Sequence, residues 1–266
     1  MSNEAISQTI AERQHGATAT GRSRGRWFFG GFAITTACTV FVGFARTYYF
    51  KNLVPTAPML PLAFHIHGAL FTTWILLFIS QAFLIAHKRI SVHRRLGVVS
   101  GLLVVPMVVT GAFVAIAAAK GEGPVSSAVR RGEFALALPQ IPPLTGLVVP
   151  LASVTLFAAF VVCGLIYRRT PDSHKRYMAL AAIAMLPPAV GRALATIVGA
   201  ANPGLFFGAT VLFIAAIVIH DRRTRGLVHP VTLWGGLVLV ASFPARLALG
   251  TTGLWLTFAS WLTTRG

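Results

Sequence analysis

Apolar runs, each close to the roughly 20 residues that cross a bilayer as a helix, recur along the chain between short polar turns. Seven spans are expected, near 27–49, 60–86, 97–119, 143–167, 177–199, 204–220 and 230–249. Residues 1–26 are polar, rich in Ser, Thr, Gln and Gly, and predict a disordered cytoplasmic tail with no signal-peptide core. The final stretch, 251–266, carries Trp255 and Trp261 and is too short to span again, so an interfacial helix is expected there. The pattern predicts an all-α, polytopic membrane helical bundle: seven transmembrane helices over 27–250 and a short C-terminal segment.

Composition sharpens this. With 55% hydrophobic and 11% charged residues and a mean hydropathy of +0.73, the chain is not an ordinary soluble domain. A net charge of +17 would suggest nucleic acid in a soluble protein. Here it reads as topogenic charge facing membrane lipids, with no nucleic-acid partner. Fifteen Lys and Arg fall on the side of the N-terminus and six on the other. The positive-inside rule then places the N-terminus in the cytoplasm and the C-terminus outside a bacterial inner membrane. Cys38 and Cys163 lie inside apolar segments and match no metal or redox spacing, so they read as small core residues.

The chain also repeats itself. Three turns on the cytoplasmic side carry an arginine followed four or five residues later by a histidine. They are RISVHRRLG (Arg89, His93), RTPDSHKRYM (Arg169, His174) and RGLVHPVTLWGG (Arg225, His229). Repeats in membrane proteins often place sites between the repeated units. His93, His174 and His229, with His87, His220, Asp172 and Asp221 near them, are candidate ligands for a divalent metal, and a haem could also sit there. The alternative is that each histidine caps its own helix while the flanking arginines meet lipid phosphates.

A second constellation lies towards the outside. Arg192 and Arg246 stand deep in apolar segments, about 22 Å from the cytoplasmic ends of their helices by helical rise. Arg46, His65 and His67 belong to the same outer layer. All six acidic residues lie outside the apolar segments, so a buried arginine there wants an anionic ligand or a wet cavity. Prolines beside both arginines, in LPPAVGRAL and FPARLALG, loosen the helices at that level. The competing reading lets each arginine snorkel to headgroups or bond free carbonyls. On the second helix His67, Trp74 and Gln81 recur every seven residues and form one stripe, whereas His65 points about 200° from His67. No phosphate loop, nucleophile elbow, close carboxylate pair or acidic pore ring is present in the sequence.

The combination FHIHGALFTTWILLFISQAFLI, VHRRLG and HKRYM, followed by an arginine deep in the next helix, resembles a broad group of bacterial multi-pass membrane proteins. They share a histidine helix and HRxLG and HRxM-like turns; the likeness covers about residues 60–195 and implies a helical bundle. More weakly, the chain resembles transmembrane b-type cytochromes and haem-containing reductases, although Gln81 stands where a second helix histidine would be needed. The expectation is an outer-half pocket for an anionic cofactor or amphiphile. Haem b fits it, with His67 as axial ligand, Arg192, Arg246 and Arg46 on the propionates, and His65, Trp74 and Gln81 nearby. Electron transfer would follow from that cofactor. The alternatives are a carrier of lipid or a small organic anion, and a structural subunit among partner membrane proteins.

Overall fold

The computed structural model describes residues 27–53, 59–121, 142–198 and 203–265. Among them every regular element is a helix, and there are no strands. In chain order they are α1 (Trp27–Tyr49), α2 (Leu62–Ala86), α3 (Ile90–Leu102) and α4 (Val104–Ala119). Then come the single turn α5 (Pro143–Gly146), α6 (Val148–Ile166), α7 (Pro171–Met185) and α8 (Pro187–Val198). The chain ends with α9 (Pro203–Arg225), α10 (Pro230–Gly250) and α11 (Gly253–Arg265).

Five helical stretches are long and apolar enough to cross a membrane: Trp27–Tyr49, Leu62–Ala86, Ile90–Ala119, Pro143–Arg169 and Pro230–Gly250. A sixth arises if α7 and α8 are one span, bent by 49° at their junction. The bend falls where Pro187 and Pro188 interrupt backbone donation, as proline in a helix requires. The structure thus supports five or six of the seven expected spans. The expected tail, 1–26, lies outside the described residues.

The core forms around α6 and α7. Phe157 on α6 and Ala179 to Ala184 on α7 are all buried, and the small side chains of α7 let neighbouring backbones come close, the usual device of membrane bundles. α10 uses the same device: a Cβ on Gly235 would overlap the side chain of Leu180. Trp74 on α2 closes the core from the other side, edge-on to Phe157 at 5.0 Å. On α3 and α4, by contrast, Val98, Leu102, Val105, Val109 and Phe113 are exposed. A row of large apolar side chains left open is what a lipid-facing surface needs.

The C-terminal helix α11 docks on the bundle. Trp255 is buried and donates from its indole nitrogen to the Leu144 carbonyl at 2.8 Å, and Ala259 is fully covered. Trp261, expected at an interface, is half exposed.

Candidate functional site

The three histidine-bearing turns share one end of the bundle, because side chains bridge them. On the α6–α7 and α9–α10 turns, the Arg176 guanidinium and the Asp221 carboxylate are both buried. Arg176 Nε donates to both carboxylate oxygens, at 3.0 and 3.1 Å, and a second guanidinium nitrogen also bonds Oδ1. Asp221 Oδ2 further accepts from Thr232 Oγ1 at 2.6 Å and from the His229 backbone N–H at 3.2 Å. The remaining guanidinium nitrogen donates to the Asp172 carbonyl at 2.6 Å. Outside this core pair, the Asp172 carboxylate meets Lys175 and Arg225. Gly226, with φ of 75°, ends α9 so that the chain can turn back towards the network. His220 stacks on Phe28 at 3.9 Å and ties α1 to the same end.

The histidines here have separate duties. His229 is the N-cap of α10, its Nδ1 accepting from Val231 N at 3.1 Å. Burial, and then the Arg176 and Arg225 charges, push its pKa below the usual histidine value. His174 Nδ1 bonds the Gly164 carbonyl at 2.7 Å. His93 lies edge-on to His174 with ring centroids 6.1 Å apart. The expected trio therefore does not gather: His93 and His174 meet, and His229 serves its own helix. Among the described residues no three His, Cys, Asp or Glu side chains are grouped to hold a metal. His87 bonds its own helix at Phe83 O and packs against Trp27.

At the other end, Arg246 is 5% exposed in the middle of an apolar helix. Its guanidinium donates to Ser153 Oγ on α6 at 2.9 Å and to Ser242 Oγ one turn back at 3.1 Å, while its Nε is buried with no hydrogen-bond partner. Both of these partners are neutral hydroxyls. Arg192 bonds the Pro188 carbonyl at 2.9 Å and lies over the Phe44 ring at 4.7 Å. Its charge acts on His67. His67 packs on Phe71, with ring centroids 4.2 Å apart, and its buried Nδ1 lacks a hydrogen-bond partner. The two arginines thus reach different partner sets, and His67 stands with Arg192.

The remaining expected residues divide. Arg46 and His65 are exposed, and the His65 carbonyl accepts from Tyr48 Oη at 3.2 Å. Trp74 is a core residue between the two ends, stacked on Phe78. Gln81, on the same α2 stripe as His67, belongs to the histidine end: its side-chain nitrogen lies 3.7 Å from where a Cβ on Gly97 would stand. One stripe therefore serves both ends, with Trp74 closing the space between them.

The Arg176–Asp221 clasp and the hydroxyls of Ser153 and Ser242 were missed from sequence. Arg176 reads as a topogenic cation and Asp221 as a loop acid, because each stands at the polar fringe of an apolar run. Two signals were available: Asp172–Arg176 and Ser242–Arg246 are both i,i+4 pairs on one helix face. Compared with protein-family models, curated proteins and solved structures, the chain matches none.

Proposed function

We propose that this is a seven-span protein of the bacterial inner membrane that binds the anionic group of an amphiphile or small organic acid in the outer half of the bilayer. Arg246 is the principal charge contact, and Arg192 and His67 line the approach. The observation that carries the reading is the setting of Arg246: a guanidinium almost wholly buried and held by two neutral hydroxyls. Hydroxyls orient a guanidinium without cancelling its charge, and an ion in a low-dielectric interior is costly until an opposite charge arrives. A bidentate arginine–carboxylate or arginine–phosphate contact supplies that compensation.

Seven spans require α9, 23 residues long, to cross as well, and the cation asymmetry then sets the N-terminus in the cytoplasm. The shared end of the three basic turns supports that topology, since a hairpin repeat with even crossings returns each turn to one side.

The test is purification of the full chain in mild detergent, followed by mass spectrometry of what remains bound and an absorbance spectrum. A retained organic anion that Arg246→Gln releases supports the reading. A Soret band lost in His67→Ala would identify the anion as haem b. A colourless, ligand-free wild type that co-purifies with other membrane subunits would favour a structural subunit.

A further inference from the structure

Two of the three equivalent turn histidines face one another, and their nitrogens are committed unequally. His174 Nδ1 bonds the Gly164 carbonyl at 2.7 Å. A carbonyl only accepts, so Nδ1 carries the proton and the lone pair of the neutral ring is on Nε2. His93 lies edge-on to His174 with ring centroids 6.1 Å apart, and its buried Nδ1 has no hydrogen-bond partner. With no acceptor at Nδ1, the neutral ring can carry its proton on Nε2 and present its lone pair on Nδ1. His174 is thus held by a backbone carbonyl through one nitrogen, and each ring keeps a nitrogen as a Lewis base. Metal-binding histidines are oriented in this way by their outer partners.

Gln81 adds a third buried polar side chain against this face of α3. The Gln81 carboxamide is buried with neither Oε1 nor Nε2 hydrogen-bonded. Its nitrogen lies beside Gly97, one turn after His93 on the same face of α3. Each buried polar group left unmet costs about 1–3 kcal/mol. Two imidazole nitrogens and the amide oxygen are electron-pair donors, and a cation is an occupant that meets these three together. The donor set is neutral and nitrogen-led, with the Arg94 charge acting on His93. Calcium and magnesium want several oxygen ligands, usually carboxylates; imidazole suits copper and zinc.

The geometry points to a transition-metal site of copper or zinc type formed by His93, His174 and the Gln81 carboxamide, at the end of the bundle that carries the basic turns. His229 is outside it, because its Nδ1 already caps α10. The site shares no residue with the outer anion pocket, so either can fail alone.

Metal-stripped full-length protein in detergent is titrated with zinc, and separately with cuprous ion under reducing conditions, against a chromophoric chelator. The expected result is one equivalent of either metal bound. His93→Ala and His174→Ala should each weaken it by about tenfold or more, and His229→Ala should leave it unchanged. X-ray absorption of the metal-loaded wild type, which needs no variant to fold, should show two imidazole ligands. No stoichiometric binding, binding retained in the His93→Ala/His174→Ala double variant, or a spectrum without paired imidazoles would overturn the site.

Discussion

Arg176 and Asp221, 45 residues apart in sequence, form a doubly hydrogen-bonded ion pair that is sealed from solvent, joining α7 to the end of α9. Thr232 and the His229 N–H complete the carboxylate's hydrogen bonding and bring in the start of α10. Removing one partner of such a pair leaves an uncompensated buried charge, which costs about 3–5 kcal/mol, whereas replacing both with apolar groups costs far less. Asp221→Leu should therefore be strongly destabilising, and Arg176→Met/Asp221→Leu should recover much of the loss. Denaturant unfolding in detergent reads both; a double variant as unstable as the sum of the singles would reject the clasp.

His229 gives the fold a pH dependence of known sign. Burial lowers its pKa in the folded protein below the ordinary 6.5, so the unfolded chain binds the proton more tightly. Its contribution is then fully present above about 6.5 and is lost as pH falls towards the folded value. Protonation places a hydrogen on Nδ1 and removes the acceptor for Val231 N. Thermal melts from pH 7.5 to 5 should show a falling midpoint, and His229→Asn, which keeps a cap, should flatten that slope. An N-cap is worth about 0.5–2 kcal/mol.

Ser153 should matter out of proportion to its size. It is the cross-helix partner of Arg246, so Ser153→Ala leaves a buried guanidinium with one fewer acceptor. The expected loss is about 1.5–3 kcal/mol for a hydrogen bond to a charged group. Arg246→Lys keeps the charge without the planar fork and should restore ligand retention only in part. Equal retention in Arg246→Lys and wild type, read by mass spectrometry, would remove bidentate recognition from the proposal.

Gly43 is where α1 touches the bend between α7 and α8. A Cβ there would overlap the Ala189 carbonyl group, whereas a Cβ on Gly31 meets nothing within 4 Å. Gly43→Ala should cost about 1–3 kcal/mol through overpacking, and Gly31→Ala should be neutral or slightly stabilising. Matched unfolding curves of the two variants decide it.

Topology is open to a direct reading. Alkaline phosphatase fused after residue 55 should be active, and fused after residue 92 inactive, because the cations concentrate on the side of the N-terminus. The reverse pattern would invert the orientation.

From sequence alone, the apolar runs established the helical class, and Trp255 and Trp261 marked a short final helix. Arginine–histidine spacing located three turns that the structure brings to one end. The deep settings of Arg192 and Arg246 were legible too, since charge inside an apolar run stands out. What sequence left open was which residues meet. In a soluble protein, polarity separates a helix's buried face from its wet one; in a bilayer, lipid and protein interior are equally apolar, so the pattern does not show which face is packed. Only the tertiary structure decided that Trp74 is core while Arg46 and His65 are exposed. It also decided that His229 caps its helix while His93 and His174 meet. The buried arginine that finds a carboxylate is Arg176, at a polar fringe, and Arg246, in mid-helix, holds two hydroxyls. The Arg176–Asp221 and Arg246–Ser153 pairings depend on long-range approach of helices, and residue spacing along the chain carries no record of it.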